Sequence, residues 1–143
     1  MLTLAASNTL AAVGSVAGQL TCTVFGMEMD NGTRLETYKV LDQRQLSASA
    51  ETIYTVPSGT TAFVRSIAVV NNDSAPRTAQ FFSGGTAASN AVSPPLVIPA
   101  GGMAVYEDAS GWAIHSSNGS IQSGVQNTVP DVQTFLTAGT FTW

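Results

Sequence analysis

Residues 51–70 read ETIYTVPSGTTAFVRSIAVV, and this stretch decides the fold class. β-branched and aromatic residues fill two runs, and Pro-Ser-Gly at 57–59 has the composition of a turn between them. The second run, 60–70, carries apolar residues on both of its faces, interrupted by Arg65. Because a strand packed on two sides reads as a nearly continuous apolar run, residues 60–70 are predicted to form a central strand.

The same alternation of short apolar runs and turn residues continues to residue 121. Residues 77–83 form another strand candidate, and prolines on both sides of 96–98 confine that short strand to a sheet edge. Residues 103–107 and 112–116 then predict a hairpin around the polar segment 108–111.

A second hairpin is predicted upstream, across residues 20–41. Residues 20–24 alternate with period two, and Asn31-Gly32 predicts a type I′ turn. The second arm alternates imperfectly, which indicates an edge strand or a surface that meets another subunit. Residues 42–50 contain too few apolar side chains to bury a helix face, so they are predicted to be a connector.

These elements together predict an all-β fold, an antiparallel β-sandwich or barrel. A chain of 143 residues is long enough for one hydrophobic core. Residues 1–50 are predicted to form an N-terminal β-hairpin or arm, 51–122 the β-sandwich core, and 123–143 an extended C-terminal tail.

The composition favours association and argues against nucleic-acid or membrane partners. Charged residues make up 10% of the chain, against about 25% in typical domains. Low charge removes the repulsion that keeps proteins apart, so an oligomer or a lattice component is expected. The five basic residues form no cluster of the kind that phosphate binding requires, and no apolar run is long enough to cross a membrane.

The residue types needed for catalysis are scarce and scattered. The chain has one histidine, His115, and one cysteine, Cys22, whose apolar setting predicts a buried thiol. Glu107 and Asp108 are adjacent, so in a strand they point to opposite faces and cannot act on one bond together. No spacing matches a metal site. We therefore expect no enzyme activity, no catalytic, metal or cofactor-binding residues, and no cofactor.

The order of parts between residues 51 and 121 resembles a module of bacteriophage virion proteins, found in capsid decoration or cement proteins and in tail-fibre proteins. The resemblance covers about half the chain and rests on turn and core motifs: Val56-Pro57-Ser58-Gly59, residues 63–72, residues 96–102, residues 105–108 and Gly111-Trp112. Residues 132–135 and 138–143 also resemble the threshold of a glycine-rich tail-fibre tip, although the tip itself is missing.

The resemblance implies a virion structural protein on the capsid exterior. We expect a decoration or cement protein that stabilises the head by binding the major capsid protein or other virion proteins and by self-association into a homo-oligomer, with a trimer as the predicted order. The alternative is a tail-fibre, head-fibre or baseplate component that binds host glycans, with Tyr38, Tyr106 and Trp112 as candidate contacts. Residues predicted to make inter-subunit contacts lie in the uncharged ends of the chain: Leu2, Leu4, Leu10, Phe135, Phe141 and Trp143.

Overall fold

The computed structural model describes residues 2–122, which form strands and one single-turn 3-10 helix, Ala88–Asn90. The strands are β1 (Leu2–Leu4), β2 (Thr9–Gly14), β3 (Leu20–Asp30), β4 (Glu36–Gln45), β5 (Glu51–Thr55), β6 (Thr60–Asn71), β7 (Arg77–Ser83), β8 (Leu96–Ile98), β9 (Met103–Glu107) and β10 (Gly111–His115). Within residues 2–122, no helix has the length and apolar character of a membrane span.

The strands form two antiparallel sheets that pack as a sandwich. The first sheet has the order β10-β9-β6-β3-β4, with β1 also paired to β6, and the second has the order β5-β2-β7-β8. Neither sheet closes on itself, so the sandwich is the correct one of the two predicted all-β architectures. The core between the sheets includes Leu20, Val24, Val64, Phe81 and Ile98, all of them almost inaccessible to solvent.

Strand β6 is central, as predicted, because β3 pairs with one side of it and β1 and β9 pair with the other. Its buried apolar side chains are Ala62 and Val64 in the first half, then Ile67 and Val69 in the second. The change of phase between them is a β-bulge, which leaves Arg65 as the extra residue opposite β3.

Two other strand predictions are confirmed. Strand β8 lies at the edge of the second sheet, where flanking prolines remove no ladder hydrogen bond. Strands β9 and β10 form the predicted hairpin, with Gly111 paired to Glu107 and His115 to Met103.

The N-terminal residues differ from the predicted arm. Strand β2 lies between β5 and β7, and β3 pairs with β6 along its whole length. Strands from 1–50 are therefore hydrogen-bonded to strands from 51–122 in both sheets, and the two parts share one core.

Two local predictions are corrected. Residues 42–45 continue β4 instead of forming part of a connector, because β3 supplies a backbone partner as far as Gln45. The β3–β4 turn is longer than a two-residue type I′ turn: the Asp30 N–H donates to the Leu35 carbonyl at 2.9 Å, and the positive φ of 63° falls on Arg34.

The single cysteine is a buried thiol, as predicted. Cys22 lies on β3 with no exposed surface. Burial, with a smaller contribution from the Asp42 carboxylate, raises the pKa of the Cys22 thiol to about 12. Since the thiolate is the reactive form, Cys22 fills the core without being poised as a nucleophile.

Candidate functional site

The outer surface of the first sheet carries a group of exposed apolar side chains on neighbouring strands. Phe25 on β3 is 42% exposed, and Tyr38 and Val40 on β4 are 66% and 49% exposed. With Arg65 on β6 they border an open depression of about 440 Å³. We call Phe25, Tyr38, Val40 and Arg65 the aromatic face.

Two β-bulges assemble the aromatic face. On the β6 side Phe25 pairs with Ser66 and Gly26 pairs with Val64, which leaves Arg65 between them. On the β4 side Phe25 pairs directly with Val40, and Leu41 is the extra residue. A bulge turns a side chain away from its regular alternation, so Arg65 lies on the outer surface beside Phe25.

Arg65 gives the aromatic face its charge. Its guanidinium carbon lies 5.9 Å from the centre of the Tyr38 ring, within the range of a cation–π contact. Its Nη1 also lies 3.6 Å from a carboxylate oxygen of Asp108, a loose ion pair at the surface. Arg65 therefore connects the apolar side chains with the turn between β9 and β10.

A polar cluster supports the opposite side of β4. Glu28 accepts hydrogen bonds from the Tyr54 hydroxyl and from the Lys39 ammonium, each at 2.7 Å. Desolvation alone would raise the pKa of Glu28, but the hydrogen bonds from Lys39 and Tyr54 outweigh it and lower the pKa. The cluster joins β3 and β4 of the first sheet to β5 of the second, and it neutralises Lys39.

We expect Glu28→Gln to reduce the free energy of unfolding by roughly 1.5 kcal/mol at pH 7, the lower end of the usual range for a hydrogen bond to a charged group. The folded pKa of Glu28 is lowered, so its stabilising contribution is present above the unfolded pKa and lost as pH falls through the folded pKa. The difference in the free energy of unfolding between wild type and Glu28→Gln, measured by urea unfolding, should therefore be smaller at pH 3 than at pH 7. Glu36→Gln, at an exposed position on β4, is the control; equal losses for the two variants at pH 7 would contradict this role of Glu28.

The predicted interface residues at the N-terminus lie mostly in the core. Leu4 and Leu10 have no exposed surface, so they pack within their own chain and leave nothing for a second subunit to contact. Leu2 is partly buried and borders a small cavity of about 100 Å³ with Ile67 and Trp112. The other predicted contacts, Phe135, Phe141 and Trp143, lie outside the described residues.

The three aromatic residues named for glycan binding lie in different environments. Tyr38 belongs to the aromatic face, whereas Trp112 and Tyr106 are partly buried against the core. The Trp112 ring stacks on Phe81 at 5.1 Å and lies 5.3 Å from the Tyr106 ring. Trp112 thus closes the end of the core instead of presenting a free ring to a ligand.

The scattered polar residues are occupied by local contacts. Glu107 accepts a hydrogen bond from the Ser66 hydroxyl at 3.2 Å, and Nδ1 of His115 lies 3.0 Å from the Gly119 carbonyl oxygen. Across residues 2–122, no three histidine, cysteine or acidic side chains are grouped closely enough to hold a metal ion.

Sequence reasoning missed Phe25, Val40 and Arg65 as members of one surface. The available signal was the imperfect alternation of residues 34–41, which already suggested an edge or a subunit contact. Pairing between strands then places Phe25 beside Val40.

No protein-family model, curated protein or solved structure matches this chain.

Proposed function

We propose that this chain is a bacteriophage virion structural protein that decorates the capsid exterior, docking through its aromatic face and associating with copies of itself. The observation that carries the proposal is the cluster of Phe25, Tyr38 and Val40, exposed on neighbouring strands of one sheet. Contiguous exposed apolar groups mark interaction surfaces, and aromatic residues are enriched at the centres of such surfaces.

The composition supports a docking role of this kind. The net charge is only −4 over 143 residues, so copies can approach one another or a larger shell with little repulsion. Arg65 adds one positively charged contact at the border of the apolar group, where it can orient the protein on an acidic or aromatic partner.

The resemblance of residues 51–121 to phage virion modules supplies the setting. A protein that binds the assembled shell and not its separate subunits adds its binding free energy to the stability of the shell. Several copies that contact one another multiply a weak individual affinity by avidity. This mechanism requires no bond to be made or broken, and it fits a sandwich without grouped reactive side chains in its described part.

Sedimentation with phage heads tests the proposal. The purified protein is mixed with expanded heads of the phage that encodes it, and bound protein is measured in the pellet. We expect saturable binding to expanded heads and none to unassembled capsid subunits. Binding to whole host cells without binding to heads would instead support the tail-fibre, head-fibre or baseplate alternative.

A matched pair of variants tests the surface. Phe25→Lys introduces a charge into the aromatic face, whereas Val97→Lys introduces one at the exposed edge strand β8 of the other sheet, where Val97 is 62% exposed. Phe25→Lys should weaken binding to heads at least tenfold, and Val97→Lys should leave it unchanged. Equal binding by the two variants would remove the aromatic face from the proposal.

A further inference from the structure

The free edge of β4 is a long run of backbone hydrogen-bonding groups. β4 spans Glu36–Gln45, and within the described part of the chain it pairs only with β3. Exposed edges are usually protected by proline or by charged side chains. Residues 36–45 contain no proline, and of the charged side chains in the first half Lys39 is neutralised by Glu28 at 2.7 Å and Glu36 is the first residue of the strand. The first half of this edge is therefore open to another strand.

The ladder with β3 determines which backbone groups point outward. The Asp30 N–H donates to the Leu35 carbonyl at 2.9 Å, so Leu35 directs its carbonyl toward β3. Orientation alternates along an antiparallel strand. Thr37 and Lys39 therefore also direct their N–H and C=O groups to β3. Glu36, Tyr38 and Val40 direct theirs to the free edge.

We propose that β4 pairs antiparallel with β4 of a second copy of this chain, about a two-fold axis at Tyr38. In this register Tyr38 exchanges both backbone hydrogen bonds with Tyr38 of the second copy. Glu36 and Val40 exchange theirs with Val40 and Glu36. Every group used points to the free edge, and the two first sheets join into one continuous sheet.

Charge and local geometry select this register over its neighbours. An axis at Lys39 would place two lysines directly opposite each other, which is unfavourable. An axis at Val40 would bring Asp42 into the pairing, beyond the bulge at Leu41. An axis at Thr37 would place Val40 against Arg34, which lies in the turn with a φ of 63°. With the axis at Tyr38, the lysine faces an uncharged threonine.

The pairing joins the aromatic faces of the two copies. Tyr38 side chains opposite each other lie on the same side of the joined sheet, with their Cα atoms about 5.5 Å apart. Behind each tyrosine lie Val40, Phe25 and the Arg65 guanidinium of the same copy. The contact is isologous, so it closes at a dimer instead of growing into a fibre.

This inference deepens the proposed function, since it names the contact behind the self-association. It specifies a two-fold contact between two copies. The trimer expected from the sequence is a different oligomeric state and stays a prediction. The tests use the protein without any phage particle, so their failure is distinguishable from failure to bind heads.

Disulfide crosslinking tests the register. In Tyr38→Cys the two new thiols meet across the axis at a Cα separation that a disulfide spans. In Val40→Cys they lie four residues apart along the strands, about 14 Å. Under mild oxidation we expect a covalent dimer from Y38C and none from V40C, while the buried Cys22 stays unreactive. Crosslinking of V40C at the rate of Y38C, or no crosslinking of Y38C, would overturn the proposal.

Sedimentation equilibrium tests the contact without a new thiol. Tyr38→Lys places like charges opposite each other at the axis, and Val97→Lys makes the same kind of change at the other sheet's exposed edge strand. Tyr38 and Val97 are similarly exposed, at 66% and 62%. We expect a wild-type dimer, at least tenfold weaker dimerisation for Y38K, and no change for V97K. A monomeric wild type at high concentration, or equal dimerisation of both variants, would overturn the proposal.

Discussion

Replacing Asn71 with aspartate is expected to destabilise the sandwich strongly at neutral pH and much less in acid. Asn71 is the last residue of β6 and is fully buried. Its Nδ2 donates to the carbonyl oxygens of Ala75 at 2.9 Å, Ile98 at 3.1 Å and Pro99 at 3.1 Å, and its Oδ1 accepts from the Asp73 N–H at 3.0 Å. This one amide ties the end of the first sheet to β8 of the second.

Aspartate has the same shape but no donor when it is ionised. Its second oxygen would face three carbonyl oxygens inside the core, so we expect a loss of about 3–5 kcal/mol at pH 7. The folded state would raise the pKa of this new carboxyl. The stability of N71D is therefore highest below the unfolded pKa of about 3.9, where the carboxyl is protonated and recovers one donor, and it is lost as pH rises from there through the raised folded pKa.

Urea unfolding of wild type, Asn71→Asp and Asn72→Asp at pH 7 and pH 4 measures this effect. Asn72 is adjacent but exposed, and its amide donates to the Thr21 hydroxyl at 2.9 Å, so Asn72→Asp should cost less than about 1 kcal/mol. The difference in the free energy of unfolding between wild type and N71D should be smaller at pH 4 than at pH 7. The role of Asn71 is refuted if both variants lose equal stability at pH 7, or if the N71D deficit is independent of pH.

The elements predictable from sequence are those determined by local chemistry. Prolines on both sides of residues 96–98 indicate an edge strand, and the two-faced apolar run 60–70 indicates a central one; both are confirmed. The phase change at Arg65 was not predictable, because period-two reasoning assumes uninterrupted alternation. Only the register against β3 identifies the residue that is left over. Likewise residues 42–45 have weak strand character and extend only because β3 is beside them.

The candidate site illustrates a different limit. An uncharged segment can fill a core or a subunit interface, and composition cannot distinguish the two. Leu4 and Leu10 were predicted contacts, but their strands lie beside β6 and between β5 and β7, where both side chains are fully buried. The aromatic face could not be predicted for a different reason. Phe25 and Val40 are distant in sequence and form one surface only because β3 pairs with β4.

Substitution of Gly26 by alanine is expected to be the most damaging single-methyl change beside the aromatic face. Gly26 has no positive φ, so the requirement for glycine comes from space and not from backbone conformation. A Cβ built at Gly26 would overlap the Phe63 carbonyl oxygen and lie 2.8 Å from Cδ1 of Leu41. The Phe63 carbonyl belongs to the paired strand β6, so relief requires β3 and β6 to separate at the bulge.

We therefore expect Gly26→Ala to lower the free energy of unfolding by about 3 kcal/mol or more, the cost of overpacking against a backbone that cannot yield. Gly32→Ala is the matched control, because its Cβ would meet nothing closer than the Asp30 carboxylate at 3.3 Å in an exposed turn, and it should change stability by less than about 1 kcal/mol.

Urea unfolding compares the stability of the two variants, and disulfide crosslinking through Tyr38→Cys reports on the position of the aromatic face. Because Gly26 follows Phe25 directly, separation of β3 from β6 would also displace the aromatic face, so the G26A/Y38C double variant should crosslink more slowly than Y38C alone. A G26A protein as stable as G32A would mean that the two strands tolerate the extra methyl group, and that the bulge is not the rigid support on which the aromatic face depends.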